Sequence, residues 1–487
     1  MPFHPPSHAR ALPDIPDNIS IETFMFDERY GRHPLGYSKD PFTDGISGRT
    51  YSALEVKERI DYLARALSKE LGFSPNEGSE WDKVVACFSV NTIDYLILAW
   101  AVHRLGGVLT CANAVYNAAE LEYQLKDSKA KAIFTSLPLY NTTMTAASKS
   151  NIPQHNVYIL PLAPSLTQGL SAPNHKTLED FIQAGTKLPR LDASDRQWSK
   201  GEGARRAAFL CYSSGTSGLP KGVMISHRNV IANTLQLVTY ETPTREAIMK
   251  SLHRTHYTES ALGLLPMSHI YGLIVICHLG PYRGDGVVVL PKYDFKLLLE
   301  TIQNYKIQML YLVPPMIIHI TKQRELCSRY DLSSVRAAFT GAAPLGKETA
   351  DDLLAMFPDW AVRQGYGLTE TATVVCSTVP QDVWLGSCGS LISGTTVKIM
   401  TIEGNEITGY NQPGELWVKS PAVVLGYLDN DKANMETFVD AEDGRYMRTG
   451  DEAVIAKSPK GHEHVFIVDR IKEYVHAHLH SLHQTKR

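Results

Sequence analysis

The chain has 487 residues, of which 44% are apolar and 20% charged, and it carries a formal net charge of -3 at pH 7. This length exceeds the roughly 250 to 300 residues of a single hydrophobic core, so several subdomains are expected. The balanced charge excludes a general basic field for nucleic acid or an anionic membrane, and any bound phosphate must therefore be held by a local site.

The first part of the chain alternates amphipathic helices with short apolar strands. Helical patterns cover residues 52–71 and 91–105, and strand patterns cover 84–90 and 131–135. This alternation predicts α/β architecture with a parallel sheet. Residues 163–203 are rich in Pro, Ser, Asn and Asp without a sustained period, which predicts a loop region between subdomains.

The alternation resumes at residue 207 and changes character near residue 395. The predicted strands and helices between these points are 207–212, 229–239, 286–290, 296–305 and 309–313. The long apolar stretch 261–280 is interrupted by Pro and His residues, which favours buried interior over a membrane span. Strand patterns at 397–400, 414–419 and 464–468 follow one another closely and predict a β-rich subdomain without helices.

The cysteines and the N-terminus bear on the cellular compartment. Seven cysteines are scattered along the chain without a Cys-x-x-Cys pair, which favours buried thiols over disulfides or a zinc site. Residues 1–16 are rich in Pro and His and lack the apolar core of a signal peptide, so secretion is not expected.

A loop rich in glycine and hydroxyl groups follows the predicted strand 207–212. Residues 213–222 read Ser-Ser-Gly-Thr-Ser-Gly-Leu-Pro-Lys-Gly and lie ahead of a predicted helix. They offer backbone N–H and hydroxyl donors together with the Lys221 cation, a composition that suits a nucleotide triphosphate. The spacing differs from that of the nucleotide-triphosphatase loop, and on composition alone a solvent-exposed linker remains an equal alternative.

Five further motifs follow this loop along the chain: 265–271, 340–345, 364–371, 448–451 and 468–473. Together with the loop they resemble, in residues and in order, the motifs of the adenylate-forming superfamily. That superfamily includes acyl-CoA synthetases, coumarate:CoA ligases, firefly luciferase and peptide-synthetase adenylation domains. The resemblance covers roughly residues 20–475 and is nearest to the coumarate:CoA ligase branch.

The resemblance implies an AMP-forming acid-thiol ligase, with specialised metabolism as the expected setting. A carboxylate would attack the α-phosphorus of ATP in the presence of Mg²⁺, release pyrophosphate and form an acyl-adenylate, and the thiol of CoA would then take the acyl group. The alternatives are a catalytically silent protein that binds nucleotide and acid, and an enzyme that adenylates acids for an acyl carrier protein. No nucleic-acid partner is expected.

The resemblance also implies roles for individual residues around ATP. The phosphates would be bound by Ser213, Ser214, Gly215, Thr216, Ser217, Gly218, Pro220 and Lys221. Thr216 and Glu370 would hold the magnesium ion, and Thr369 would lie beside the α-phosphate. The catalytic group would be Lys221, His269, Thr369 and Glu370.

Adenine needs a flat, largely apolar slot. By resemblance Tyr366 would stack on one face, and the backbone of Gly341, Ala342 and Ala343 would cover the other. Gly365 and Gly367 would allow the turn around Tyr366. Asp451 would accept hydrogen bonds from the ribose, and Arg470 would add a donor.

The acid pocket would be lined by His269, Tyr271, Val275, Gly341, Gly365 and Val374. These residues are mostly apolar and suit an aromatic or a medium-length aliphatic acid, without choosing between them. A lone histidine in an apolar run is commonly a core residue. The resemblance favours a functional role for His269 at the carboxylate.

The end of the chain departs from the resemblance. Relatives continue past a hinge, here Lys472, into an α+β lid with a catalytic lysine, whereas residues 476–487 match none of its features. We therefore expect the lid to be mostly absent and catalysis to be impaired. The last three residues are not a Ser-Lys-Leu address, which favours the cytoplasm over the peroxisome.

The predicted fold class is accordingly α/β, with two α/β subdomains and a small β-rich subdomain. The expected boundaries are 1–200 for the first subdomain, 201–394 for the second with its ATP-binding loop, and 395–468 for the β-rich subdomain. Residues 469–487 would form the hinge and the lid remnant.

Overall fold

The structure is a computed structural model that describes residues 2–172, 174–191, 198–213 and 219–470. Within these ranges the strands form three sheets with helices packed against them, which confirms the predicted α/β class. The α-helices are Ile21–Phe26, Ala53–Leu71, Tyr95–Arg104, Ala118–Asp127, Tyr140–Lys149, Leu178–Gly185, Glu202–Arg205, His227–Ser251, Gly280–Tyr282, Phe295–Tyr305, Pro314–Lys322, Arg324–Cys327, Lys347–Met356 and Asp431–Thr437. A π-helix covers Tyr271–Leu279, and short 3₁₀-helices cover Glu28–Tyr30, Leu35–Tyr37, Glu80–Lys83, Leu137–Leu139, Gln154–Asn156, Pro164–Leu166 and Thr369–Thr371.

The first sheet has seven described strands and is parallel over most of its width. In spatial order the strands are Gly426–Tyr427, Lys221–Ser226, Ala207–Ser213, Val108–Ala112, Val84–Phe88, Ala132–Thr135 and Val157–Ile159. The last five run parallel to one another, as the alternation of helices and apolar strands predicts. The first two are antiparallel additions at one edge.

The glycine-rich loop does not lead directly into a helix, and that prediction is wrong. Lys221–Ser226 is a strand antiparallel to Ala207–Ser213, and the helix begins only at His227. The apolar residues Val223 and Ile225 alternate with neighbours and bury one face of the strand, so β structure is favoured over helix here.

The second sheet has nine described strands. Their spatial order is Ser390–Leu391, Thr373–Ser377, Ala361–Leu368, Ala337–Thr340, Met309–Leu312, Ser260–Gly263, Gly286–Val289, Phe42–Asp44 and Thr50–Tyr51. The six from Ala361–Leu368 to Phe42–Asp44 are parallel, and the outer strands are antiparallel.

The third sheet is antiparallel and closes the described chain. Its strands are Glu406–Ile407, Thr396–Met400, Gly414–Lys419, Gly444–Lys457, Phe438–Ala441 and Glu463–Arg470. The prediction that this region holds no helix is wrong, because Asp431–Thr437 is helical. The Asn430 side chain accepts a hydrogen bond from the Ala433 amide and so caps the first turn of that helix.

The chain passes between the first two sheets more than once. The first sheet takes its strands from residues 84–226 and 426–427, and the second takes its strands from 42–51 and 260–391. The strand at Phe42–Asp44 thus belongs to the second sheet although it precedes every strand of the first. The expected boundary at 200/201 does not coincide with a division between sheets.

Two helical predictions need correction. Leu178–Gly185 is a helix inside the stretch 163–203 predicted as loop, since Thr177 and Asp180 form a capping box and Phe181 is buried. His227–Ser251 runs past its expected end at residue 239 despite Pro243. The Thr242 hydroxyl donates to the Val238 carbonyl at 2.6 Å and so supplies a donor near the interruption.

The main hydrophobic core lies between the first two sheets and around the helices Tyr95–Arg104 and His227–Ser251. The apolar stretch 261–280 is part of it and forms a strand and the buried π-helix, as expected for interior. Among the described residues no helix has both the length and the apolar character needed to cross a bilayer.

Candidate active site

Two of the predicted site motifs lie where parallel strands of the second sheet end. Ala337–Thr340 runs directly into Gly341, and Ala361–Leu368 carries Gly365, Tyr366 and Gly367 before it enters the turn Thr369–Thr371. In open α/β sheets, ligands bind outside the carboxyl ends of the strands. The motifs at the ends of these two strands, although separate in the sequence, therefore lie close together at the same edge of the sheet.

The Glu370 carboxylate is fixed through one of its two oxygens. The Ser213 hydroxyl donates to Oε1 at 3.0 Å, and the Tyr427 hydroxyl donates to the same oxygen at 2.9 Å. Glu370 is buried, and its backbone carbonyl accepts from the Val424 amide at 3.1 Å. No described side chain bonds Oε2, so the carboxylate is held in place with one oxygen available.

Lys221 lies beside this carboxylate at the first position of its strand, opposite Ser213. Its ammonium group is 4.7 Å from the centre of the Tyr427 ring, which places a cation over an aromatic face. Among the described residues no carboxylate forms an ion pair with it. The neighbouring Pro220 carbonyl accepts from the Tyr123 hydroxyl at 3.0 Å and anchors the end of the loop.

Tyr366 and Asp451 are joined across the second and third sheets. The Tyr366 hydroxyl donates to Asp451 Oδ2 at 2.6 Å, and Arg470 Nε lies 3.4 Å from Oδ1. Burial raises the pKa of Asp451, against the lowering effects of the Tyr366 hydrogen bond and the Arg470 charge. The two residues assigned to adenine and ribose are thus in direct contact.

The prediction that Gly365 and Gly367 allow a turn around Tyr366 is wrong, because all three residues lie in the strand Ala361–Leu368, where the glycines instead allow close packing. A Cβ atom on Gly365 would lie 2.6 Å from Phe339 Cζ, and one on Gly367 would lie 1.4 Å from the Thr373 carbonyl oxygen. A Cβ atom on Gly341 would lie 3.4 Å from Tyr271 Cε1. Side chains at 365 and 367 are therefore sterically excluded, and Gly341 faces Tyr271 across a narrow gap. Ala342, which follows, has a positive φ of 67°.

Three aromatic rings form the inner wall of the predicted acid pocket. Tyr271, Tyr311 and Phe339 pack edge to face with ring centres 6.2 to 6.3 Å apart. The Tyr271 hydroxyl donates to the Phe339 carbonyl at 3.0 Å, which fixes its ring across the end of Ala337–Thr340. Val275 and Val374 are buried in the same hydrophobic core.

His269 lies just before the π-helix. Its Nδ1 accepts from the Tyr271 amide at 3.3 Å, so the neutral ring carries its proton on Nε2. The side chain remains accessible to solvent, while enclosure by the surrounding protein lowers the pKa of the imidazole. A neutral hydrogen-bond donor is therefore available near Tyr271.

Some predicted residues lie outside the described residues: Ser214, Gly215, Thr216, Ser217, Gly218 and Lys472. Within the described ranges, no group of three or more His, Cys, Asp or Glu side chains could hold a metal ion. Glu370 is the one predicted magnesium ligand whose surroundings are known.

Tyr427 was missed by sequence reasoning. It reaches Glu370 because Gly426–Tyr427 pairs with Lys221–Ser226, about two hundred positions earlier in the chain. A two-residue strand carries no periodic pattern, so the only local signal in the sequence was the glycine before Tyr427, which adopts a φ of 148°.

Comparisons with known proteins agree with this geometry. Residues 35–428 match the family described as AMP-binding enzyme. The chain is 37% identical over 477 residues to the acyl-CoA ligase easD of Emericella nidulans, covering 98% of this chain and 82% of that protein.

Two solved structures show the same fold. The long-chain-fatty-acid-CoA ligase FadD1 from Archaeoglobus fulgidus superimposes with a TM-score of 0.76 at 23% identity, over 97% of this chain and 89% of that one. ATP-bound MatB from Rhodopseudomonas palustris does so with a TM-score of 0.71 at 22% identity, over 93% of this chain and 79% of that one.

Proposed function

Because the chain belongs to the AMP-binding enzyme family and is by homology an AMP-forming acyl-CoA ligase, we propose that it activates an aromatic or medium-length aliphatic acid. The acid reacts with ATP to give an acyl-adenylate and pyrophosphate, and CoA then accepts the acyl group. The observation that carries this proposal is the Glu370 carboxylate, held by Ser213 and Tyr427 at one oxygen, together with Lys221, which has no carboxylate partner among the described residues.

This arrangement suits a magnesium-bound triphosphate. Mg²⁺ is commonly held by one or two carboxylates together with substrate phosphates and water, and Glu370 Oε2 offers one such oxygen. The ion would neutralise charge on the phosphates. Lys221, whose ammonium group lies over the Tyr427 ring, would supply a second positive charge, and Thr369 begins the turn that carries Glu370.

The nucleoside would lie along the strand Ala361–Leu368. Tyr366 would stack on adenine opposite the backbone of Gly341, Ala342 and Ala343, while Gly365 and Gly367 let the strand that carries Tyr366 pack closely against Phe339 and Thr373. Asp451 has Oδ2 bound by Tyr366, and its remaining lone pairs would accept from the ribose hydroxyls beside Arg470.

The acid would enter between His269 and the aromatic wall. Neutral His269 Nε2–H can donate to the carboxylate, and the apolar part of the acid would pack against Gly341, Gly365, Val275 and Val374 beside Tyr271. Because Tyr271, Tyr311 and Phe339 pack against one another, they would limit the depth of this pocket and favour compact acids over long chains. Specialised metabolism is the setting that such a substrate suits.

The test is acid-dependent exchange of labelled pyrophosphate into ATP, measured with a panel of aromatic and C4 to C16 aliphatic acids. We expect exchange with a compact acid, and thioester formation when CoA is added. No exchange with any acid would contradict ligase function. Product with an acyl carrier protein but not with CoA would favour the carrier-dependent alternative.

A further inference from the structure

One face of the helix His227–Ser251 carries three buried amide side chains. Asn229, Asn233 and Gln236 are spaced as i, i+4 and i+7, so they lie in a row along the helix. Their exposed fractions are 5%, 0% and 0%. We refer to these three residues as the amide row. Burial of an amide is unfavourable unless its donors and acceptors are paired, so the partners of the row define its role.

Asn233 binds both backbone groups of Val374. Its Nδ2 donates to the Val374 carbonyl at 2.9 Å, and its Oδ1 accepts from the Val374 amide at 3.1 Å. Val374 is opposite Gly367 in the sheet, where the strand pairing shifts register. The amide therefore takes the place of a neighbouring strand and fixes the backbone that carries one wall of the acid pocket.

Asn229 acts on a different segment. Its Oδ1 caps the helix by accepting from the Ser226 amide and hydroxyl at 2.9 and 2.8 Å, while its Nδ2 donates to the Pro421 and Val423 carbonyls at 3.1 and 2.9 Å. The next residue, Val424, donates its amide to the Glu370 carbonyl. Asn229 is thus linked to Glu370, the residue assigned to magnesium, through the backbone of Val423 and Val424.

Gln236 has the same chemistry but reaches the site only through Asn233, whose Nδ2 donates to Gln236 Oε1 at 3.3 Å beside its two bonds to Val374. Its Nε2 donates to the Ser393 carbonyl at 2.9 Å and to the Thr395 and Ser420 hydroxyls at 3.2 and 3.1 Å. None of these partners carries a residue assigned to acid or nucleotide. The chain therefore provides its own matched control on the same helix face.

We propose that Asn229 and Asn233 are positioning residues, Asn233 for the acid pocket through Val374 and Asn229 for the magnesium–nucleotide side through Val423 and Val424. This inference rests on the proposed function. One rigid helix sets the two halves of the site relative to each other, since both amides extend from the same turns. Neither residue touches a reacting atom.

The test compares Asn229→Asp, Asn233→Leu and Gln236→Met in the full-length chain. Asn229→Asp keeps the oxygen that caps the helix and removes the donor to residues 421 and 423. Asn233→Leu and Gln236→Met keep the approximate shape and remove the amide. For each variant, pyrophosphate exchange gives the half-saturating concentrations of acid and of Mg·ATP, and thermal unfolding gives Tm.

We expect a crossed result. Asn233→Leu should raise the half-saturating acid concentration about tenfold and change that of Mg·ATP by less than about twofold, whereas Asn229→Asp should do the reverse. Gln236→Met should leave both constants within about twofold of the parent. All three variants should lower Tm by a few degrees. A loss of stability therefore cannot by itself explain why one variant changes the constant for the acid and the other the constant for Mg·ATP.

The proposal is overturned if the constants move together in both variants, or if Gln236→Met shifts them equally. Should Asn233→Leu fail to fold, Asn233→Ser replaces it, because its smaller side chain leaves room for a bridging water, and the same crossed result is required. An inactive parent would count against ligase function, whereas an active parent with uncrossed variants counts against the amide row alone.

Discussion

Charged side chains are concentrated in two regions beside the second sheet: the site around Glu370 and a buried ion network around Glu241. The network consists of Glu241, Glu259, Asp285, Arg245, Arg283, Arg336 and Arg363. Burial alone would raise the pKa of Glu241, but Arg363 and Arg283 lower it to about 2. In the site around Glu370, by contrast, burial raises the pKa of Asp451, and the Lys221 ammonium group lies over the Tyr427 ring.

The difference separates charges that stabilise the fold from charges available to a ligand. Each acid of the network contacts at least two arginines, so it gains nothing from a further partner. The site keeps a cation without a described carboxylate and a carboxylate oxygen without a described donor. Such incompletely paired groups are what an ATP-binding surface requires.

The largest expected effect comes from breaking the network. Arg283→Met removes the cation shared by Glu241 and Asp285 and should lower the free energy of unfolding by about 3 to 5 kcal/mol, because two carboxylates stay buried with fewer partners. Denaturant unfolding measures this. Arg329→Met, at an exposed pair with Glu325, should change it by less than about 1 kcal/mol. If both variants lowered the free energy of unfolding equally, the buried network would not stabilise the fold more than an exposed ion pair does.

Lys221→Ala should have the opposite effects to Arg283→Met, with a large loss of activity and little change in stability. We expect pyrophosphate exchange to slow by roughly 10²- to 10³-fold, since the variant lacks a positioned charge at the phosphates. The free energy of unfolding should stay within about 1 kcal/mol, because no described ion pair is lost. Lys129→Ala, at an exposed pair with Asp429, is the control for both measurements. Unchanged exchange in Lys221→Ala would show that the phosphates lie elsewhere.

The pH dependence of stability should differ in sign between the two regions. The folded pKa of Glu241 is about 2, below the ordinary 4.5, so its contribution is present above pH 4.5 and is lost as the pH falls through 2. Glu241→Gln should thus cost about 3 kcal/mol at pH 7 and progressively less in acid. The folded pKa of Asp451 is raised, so its ionisation opposes folding as the pH rises.

Asp451→Asn should therefore be more favourable to stability, relative to the parent, at neutral pH than in acid. Unfolding free energies of parent and both variants between pH 3 and 8 measure this. If the unfolding free energies of Glu241→Gln and Asp451→Asn changed with pH in the same direction relative to the parent, the prediction that the two carboxylates have oppositely shifted pKa values would be wrong.

The smallest expected effect concerns Tyr427. Burial and the Glu370 charge raise the pKa of its hydroxyl, so it remains a donor at neutral pH. Tyr427→Phe removes that donor but keeps the ring under Lys221, and we expect Mg·ATP affinity to fall by about tenfold, measured by calorimetry. Tyr410→Phe removes an exposed tyrosine–glutamate bond to Glu463 and should leave affinity unchanged.

The sequence predicted most elements because their patterns are local. The strand at Val84–Phe88 is a run of apolar residues and the helix Ala53–Leu71 begins after a capping Ser52, so both could be placed within a few residues. The family resemblance is confirmed by comparison. The roles assigned to Lys221, His269, Thr369 and Asp451 stay predictions.

The error at Lys221–Ser226 arose because distant segments decide the structure there. Lys221–Ser226 is a strand because Ala207–Ser213 and Gly426–Tyr427 pair with its two edges, and no local signal shows the second pairing. The bonds from Asn229 and Asn233 likewise join residues far apart in the chain. Motifs reveal which residues contact a ligand, whereas the side chains that hold those motifs in place become visible only in three dimensions.

The early strand of the second sheet affects how the protein can fold during synthesis. Phe42–Asp44 pairs with Gly286–Val289, so on the ribosome it must wait for its partner while the intervening first sheet emerges. At about 5 to 20 residues per second this delay lasts on the order of tens of seconds. Because Gly426–Tyr427 is made later still, the first sheet can gain this edge strand, and Glu370 its tyrosine donor, only after residue 427 has been synthesised.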